Sequence, residues 1–373
     1  MAPGERSATA DEATAQVLTA RRVEQLEALR RGRTLQGITR VSTLQLFARD
    51  HLVAKAKAGN TTTRWLASSE QHLRRACEFF GAHRDLTTMG VADVREWATW
   101  LATLPGRGAL MSGGTVRHHL NTLSNLYRRA QAERYVIPGY NPVASLMEKP
   151  SARRVEAKWL EVHEAALFLE AARTHKPTRE DLASPFAFPL VATFLLTGGR
   201  RAEVLGLEVE DVSFDRRTVT FRPNAWRRLK SSTSHRVVPM WTQLEEILRA
   251  YVFGASGPPG RLLFPSLATG GEAMLTDFRK LMGRISVRAG WKPAGITSRI
   301  FRHTYCAARL QTVDRGAPVS EWTVGRELGH GGHALVRRVY GHLGTVRHRT
   351  EVVEYPLETY RSILKERLDS MGL

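Results

Sequence analysis

Leu328-Gly329-His330-Gly331-Gly332-His333, followed by Val339-Tyr340-Gly341-His342-Leu343, is the stretch on which the reading of this chain turns. A tight glycine turn delivers a histidine, and a tyrosine follows ten residues later. Far upstream lie Thr197-Gly198-Gly199-Arg200-Arg201-Ala202-Glu203 and Arg299-Ile300-Phe301-Arg302-His303-Thr304. Two arginines, a histidine and a terminal tyrosine, in this order, suit chemistry on a phosphodiester. Guanidinium groups hold two non-bridging oxygens at once and stay charged throughout. The tyrosine supplies the attacking oxygen, and with an unperturbed pKa near about 10 it needs positive surroundings to attack as phenolate.

Each segment alone admits a plainer reading. The Thr-Gly-Gly turn sets Arg200 at a helix start, where free backbone N–H groups attract phosphate. Glu203, three residues on, braces the guanidinium from the same face, while Val204, Leu205 and Leu207 enter the core. An exposed Arg–Glu pair of little energetic weight fits that box equally well. Arg299 and Arg302 are expected to project together from a helix whose Phe301, Tyr305 and Ala308 face inward; two solvated arginines are the alternative. Tyr340 alone also reads as a core tyrosine beside a turn. His330, His333 and His342 have metal-like spacing, but no fourth ligand or cysteine accompanies them, so no metal and no cofactor are expected.

The bulk composition agrees with a polyanion partner. The 373 residues exceed what one hydrophobic core usually serves, so two domains are expected. Lys and Arg outnumber Asp and Glu by 55 to 36, a formal charge of +19, with a pI near 10.7 and a mean hydropathy of -0.29. Such a surplus favours nucleic acid. No apolar run approaches the roughly 20 residues that span a bilayer, and the first residues lack the apolar stretch of a secretory signal. Cys77 and Cys306, the only two cysteines, sit in apolar helical contexts and read as core residues of a cytoplasmic protein.

Periodicity divides the chain. Residues 1–42 form an N-terminal extension, flexible or helical. Residues 43–145 carry four helical patterns: one opening at Leu44, one from Trp65 to Gly81, one after Thr88 that stops at Leu104-Pro105-Gly106, and one after Gly113-Gly114 with Thr115 as its N-cap. This last helix has Val116, Leu120, Leu123, Tyr127 and Ala130 on its apolar side and Arg117, His118, His119, Arg128 and Arg129 on the other. Arg117, Asn121 and Arg128 are expected to meet DNA. A basic linker, 146–158, contains Arg153 and Arg154 and reads as a strap along nucleic acid. In 159–345, helices precede the Thr-Gly-Gly turn, and Thr218–Arg222 pairs with Arg236–Pro239 as a β-hairpin around Lys230-Ser231-Ser232-Thr233-Ser234. A further helix is expected to carry Leu275, Phe278, Leu281, Met282 and Ile285. The tail, 346–373, reads as a strand at 349–355 and a helix from Pro356.

Taken together the boxes resemble the tyrosine recombinase (phage integrase) family. Thr197, Gly198, Arg200, Glu203 and Leu205 match its T-G-x-R-x-x-E-x-L; Arg302-His303-Thr304 match L-R-H-T, with Phe301 for Leu. Leu328-Gly329-His330, Tyr340 and His342 match L-G-H … Y-x-H, and Lys230 ahead of Arg236-Val237-Val238-Pro239 matches the hairpin lysine. Residues 43–145 resemble the family's helical core-binding domain, closed by Asn141-Pro142. The resemblance implies a mostly α fold with a small antiparallel β-sheet: a helical core-binding domain and an α+β catalytic domain that together form a C-shaped clamp on DNA. It is the simple two-domain type, without an evident arm-binding domain. It further implies Tyr340 as nucleophile, Arg200, Arg302 and His330 as stabilisers of the transition state, Lys230 as general acid and Glu203 in support. The DNA is a double-stranded attachment site, cut through a 3′-phosphotyrosyl bond and exchanged through a Holliday junction, without metal or ATP. The protein would be a monomer in free solution and a homotetramer on DNA, its tail docked on a neighbouring protomer, with accessory directionality or DNA-bending proteins as further partners. One position departs: Arg299 stands where His or Lys is usual, and an arginine cannot serve as a base. It is expected to act as a third phosphate clamp. Alternatives are a type IB topoisomerase, with the same tyrosine chemistry but no strand exchange, and a non-catalytic DNA-binding regulator.

Overall fold

A computed structural model of the chain describes residues 42–106, 109–151, 157–176, 186–229, 232–293, 295–314, 317–332 and 334–340, with 15–17, 19–20, 23–24, 40, 365–366 and 369. Of Ser232, Val313, Asp314, Leu335 and Tyr340 only the backbone is described. The chain divides into two compact units, Met1–Val155 and Glu156–Leu373. The proposed tail strand and the start of the tail helix lie outside the described residues, as do Lys230, Arg153 and Arg154. Among the described residues no helix is long and apolar enough to cross a membrane.

The first unit is built from α1 (Leu44–Lys57), α2 (Thr63–Phe80), α3 (Val91–Thr103) and α4 (Gly113–Ala132). Local chemistry sets their ends. The Thr62 hydroxyl accepts from Trp65 N, and α2 stops at Gly81, whose φ of 90° suits glycine. Gly90 N donates to the Asp93 carboxylate at 2.7 Å to open α3. The start of α4 differs from expectation: Ser112, not Thr115, is the N-cap, its Oγ accepting from Thr115 N at 3.3 Å, and Gly113 and Gly114 are already helical. Val116, Leu120, Leu123, Tyr127 and Ala130 are all buried, as their spacing requires. His119 is a second correction. At three residues from Val116 and four from Leu123 it falls on the buried arc of the 3.6-residue period, and it is 2% exposed. Its Nδ1 donates to Thr115 O at 3.0 Å and its Nε2 accepts from Arg75 at 3.1 Å. Arg129 is likewise drawn in, paired with Glu133 at 2.6 Å and lying over the Phe47 ring. Arg117, His118, Asn121 and Arg128 are exposed. Asn141 closes the unit by donating to Ser124 O and Oγ and accepting from Ala144 N.

The second unit surrounds α6 (Ala187–Thr197), which is buried on all sides. Packed about it are α5 (Val162–Arg173), α8 (Thr242–Val252), α10 (Ser298–Leu310) and the short α7 (Arg201–Leu205), while α9 (Arg279–Arg288) packs on α5, α11 (Glu321–Glu327) on α10, and α12 (Ala334–Tyr340) on α11. A three-stranded antiparallel sheet, β1 (Val212–Ser213), β2 (Thr218–Phe221) and β3 (Arg236–Pro239), lies in the order β1-β2-β3. Its register sets Val219 opposite Val238 and Phe221 opposite Arg236, so the period-2 alternation of β2 and β3 directs Val219, Phe221 and Val238 into the core. Leu275 and Phe278 are buried, but they precede α9 instead of belonging to it. Ala273–Met274 pairs with Pro265–Ser266 across Gly270 and Gly271, both at positive φ, and this hairpin delays the helix until Arg279.

Two histidines of the first unit make its stability depend on pH. Burial, then the Arg129 and Lys55 charges, push His51 down to about 4; burial, then His119, His118 and Arg75, do the same to His72. In the unfolded chain both return to about 6.5, so between those values the unfolded state binds more protons and stability falls as pH drops. Thermal unfolding at graded pH should show a midpoint that falls steadily between about pH 6.5 and 4, with no change from these groups above pH 7.

Candidate active site

The site is assembled where the end of α6 meets α10, β3 and the turn after α11. Gly198 caps α6 in the left-handed region, at φ 60°. A Cβ there would stand 2.7 Å from Tyr305 Cδ1 and 2.9 Å from Leu328 Cδ2, and one on Gly199 would stand 2.8 Å from Phe221 Cζ. The two glycines therefore let the backbone ahead of Arg200 press against α10 and the sheet.

Arg200 is the N-cap residue of α7. Its backbone N donates to Glu203 Oε2 at 2.9 Å and its Nη1 to Oε1 at 2.7 Å. Nη1 also reaches Ser234 Oγ at 3.2 Å, and Nη2 reaches Gly329 O at 3.1 Å. Glu203 is 4% exposed, so this is no surface pair. Burial alone would raise its pKa; the hydrogen bond and charge of Arg236, with those of Arg200, outweigh it and hold the carboxyl at about 2.

Arg302 reaches the same place from α10. Nη1 donates to Gly198 O at 2.8 Å, and Nη2 donates to Leu328 O and faces His330 Nε2 at 2.9 Å. Burial, then the Arg200 and Arg236 charges, draw its guanidinium well below the ordinary arginine value. The same causes, burial first and then Arg302, Arg200 and Arg236, push His330 down to about 4, so the ring is neutral at pH 7. Arginine has no acceptor, so His330 Nε2 must accept and the ring proton sits on Nδ1. That Nδ1 is buried and has no hydrogen-bond partner among the described residues.

The structure separates Arg299 from Arg302, contrary to expectation. Arg302 turns into the site, whereas Arg299 is exposed and its Nε meets His303 Nε2 at 3.3 Å, one helical turn on. Tyr340 is the last residue of α12. Its side chain, Lys230 and His342 fall outside the described residues. Among those described, no group of three or more His, Cys, Asp or Glu side chains could hold a metal ion; His333 is not one of them. In the first unit, Arg117 donates from Nε to Pro150 O at 3.0 Å, while Asn121 and Arg128 share its exposed side of α4.

Sequence reasoning passed over Arg236. Its signal was available: it has the parity of Val238 in β3, so its side chain had to point inward. It is 7% exposed and donates to Glu203 Oε2 at 2.8 Å, Ser234 O at 2.9 Å and Glu327 O at 2.5 Å. Behind it the Glu327 carboxylate takes hydrogen bonds from Arg309 and from Tyr305 Oη.

Residues 158–345, half of the chain, match the model of the phage integrase family. The chain belongs to that family, the tyrosine recombinases. It is a tyrosine site-specific recombinase, and the matches favour neither a topoisomerase nor a non-catalytic regulator. Tyrosine recombinase XerD of Mycobacterium tuberculosis H37Rv is 26% identical over 279 residues, spanning 70% of this chain and 82% of the relative. The fold is shared with the Tn1549 transposon integrase in complex with a circular intermediate DNA (TM-score 0.63, 15% identity, 87% of this chain and 99% of that one). It is also shared with a lambda integrase dimer bound to a core site (TM-score 0.59, 14% identity, 89% and 83%).

The close approach at Gly198 yields a stability prediction. Gly198→Ala forces a side chain into the left-handed region and against the Tyr305 ring. It should cost about 2–4 kcal/mol, read as a lower urea midpoint at unchanged slope.

Proposed function

We propose that Tyr340 attacks the scissile phosphate of a double-stranded DNA attachment site and that Arg200, Arg302, His330 and Lys230 carry the charge and proton movements. The phenolic oxygen releases its proton to solvent and forms a bond to phosphorus as the bond to the 5′-oxygen breaks, leaving a 3′-phosphotyrosyl link. Lys230 protonates the departing 5′-oxygen. A 5′-hydroxyl of a partner duplex then reverses the attack, and because the phosphotyrosyl ester conserves the bond energy, neither ATP nor a metal enters.

One observation carries this reading. Three segments more than a hundred residues apart at their extremes converge on a single turn: Arg302 on Gly198 O and Leu328 O, Arg200 on Gly329 O, and His330 beside Arg302. Guanidiniums held by backbone carbonyls cannot swing away, which is the pre-organisation that stabilises developing negative charge. The neutral His330 accepts from Arg302 through Nε2 and orients that guanidinium without adding a charge. Arg299, exposed on α10, adds positive potential along the DNA.

The remaining assignments follow from this reaction. Residues 43–145 form the core-binding domain and 159–345 the catalytic domain, joined by the basic linker 146–158. Arg117, Asn121 and Arg128 on α4, with Arg153 and Arg154, face DNA. Two rounds of cleavage on four protomers pass through a Holliday junction. The protein is a monomer until DNA assembles it into a homotetramer, and the tail after 346 docks on a neighbouring protomer. Accessory proteins that bend DNA or set direction, a mobile genetic element as its setting, and a cytoplasmic location at the nucleoid go with this role.

The test uses a supercoiled plasmid bearing two copies of the site, selected beforehand from a random-sequence pool by binding to the protein, with chelator and no ATP. Wild type should give recombinant circles and Tyr340→Phe none, with DNA affinity retained. Relaxed plasmid without recombinants would favour the topoisomerase reading. Binding with neither product would leave a regulator.

A further inference from the structure

We propose that Arg236 is a positioning residue for strand cleavage, locking the Arg200 guanidinium and the His330 turn into one frame. This deepens the proposed reaction of Tyr340 and rests on it. The strand register alone makes Arg236 unusual: opposite Phe221 and in phase with Val238, it puts a charge where an aliphatic side chain belongs. An unpaired buried charge would cost several kcal/mol, and a well-packed apolar residue often serves stability equally well. A purely structural ion pair is the plain alternative, and the choice of partners argues against it.

Each guanidinium nitrogen of Arg236 donates to a segment that carries the site. Nη2 donates to Glu203 Oε2, the oxygen that also receives the Arg200 backbone N, while Glu203 Oε1 receives the Arg200 guanidinium. Nη1 donates to the carbonyl of Ser234, whose Oγ accepts from Arg200. Nε donates to the carbonyl of Glu327, the residue before Leu328, whose own carbonyl holds Arg302. Gly329 lies so close that a Cβ there would stand 3.0 Å from Arg236 Nη1. The Phe221 ring backs the guanidinium at 4.3 Å from its centroid and fixes its plane.

The side chain is only 5% exposed, so it acts through its neighbours and not on DNA. Its planar fork reaches three acceptors in different directions from one side chain, which a lysine ammonium on a flexible stem cannot reproduce. Displacing the phosphate-binding groups by about 1 Å is enough to cost on the order of 100-fold in rate.

The experiment compares wild type, Arg236→Lys and Arg236→Gln on a nicked duplex carrying the selected site, read as covalent adduct in a single turnover. Lys keeps the charge and Gln removes it, so a folded variant is available even where one packs poorly; thermal melting confirms which. We expect DNA affinity within about threefold of wild type and cleavage slower by roughly 30–100-fold. The same variants are then run on a duplex with a methylphosphonate at the scissile position, which removes the non-bridging charge that Arg200 and Arg302 offset. There the deficit should shrink to about threefold or less, because misplaced arginines are no longer needed. Cleavage near the wild-type rate on the phosphodiester, or a deficit of equal size on both substrates, would overturn the proposal. A wild-type protein that forms no adduct on either duplex would instead bring down the reading of Tyr340.

Discussion

The buried carboxylate of Glu203 is the constraint on which the rest of the second unit's site depends. It takes the Arg200 guanidinium on one oxygen and Arg236 on the other, and is itself nearly closed to water. Like charges a few ångströms apart repel by roughly 4 kcal/mol at the effective dielectric of such a place. Arg302 registers that pressure, drawn down by burial and by the two neighbouring guanidiniums. Without Glu203, Arg200 and Arg236 would lose the carboxylate they share, and with it the ion pairs that join α7 to β3.

The same balance bears on the reaction proposed for Tyr340. Arg200, Arg236, Arg302 and Arg309 face two carboxylates, Glu203 and Glu327, in the hydrogen-bond network that links these elements. Among these four arginines and two carboxylates the surplus is two positive charges, Lys230 not counted. A phosphodiester carries one negative charge, and attack by a phenolate raises it to two. For the reaction proposed for Tyr340, a surplus of positive charge favours the more highly charged reacting phosphate over the resting one, which is the condition for catalysis by differential binding. His330 fits the same economy of charge: neutral among cations, it contributes a dipole without adding to the repulsion.

Much of this was legible in the sequence because its signals are local. Arg200 with Glu203, and Leu328-Gly329-His330, are short segments whose geometry is set by a glycine turn or one turn of helix, and β2 with β3 announced themselves by alternation. Arg236 escaped because its meaning lies in partners 33 and 91 residues away. Sequence spacing does not reveal that one guanidinium ties three segments together. His119 was misplaced for a simpler reason: a polar side chain was read as solvent-facing although the helical period put it inside, where Arg75 and Thr115 satisfy both ring nitrogens. Ser112 displaced Thr115 as the cap because glycines, poor helix formers in isolation, are tolerated in the first turn. The start of α9 was set by a strand pairing, Pro265 with Met274, that no helical pattern could foretell.

The central claim is that one oxygen, on Tyr340, becomes bonded to DNA. It is tested most directly by trapping the adduct on the nicked duplex, digesting with nuclease and trypsin, and sequencing the modified peptide by mass spectrometry. The account predicts a nucleotide 3′-phosphate on Tyr340 in the peptide spanning residues 339–347. A modification on any other residue, or an adduct that survives Tyr340→Phe, would contradict it.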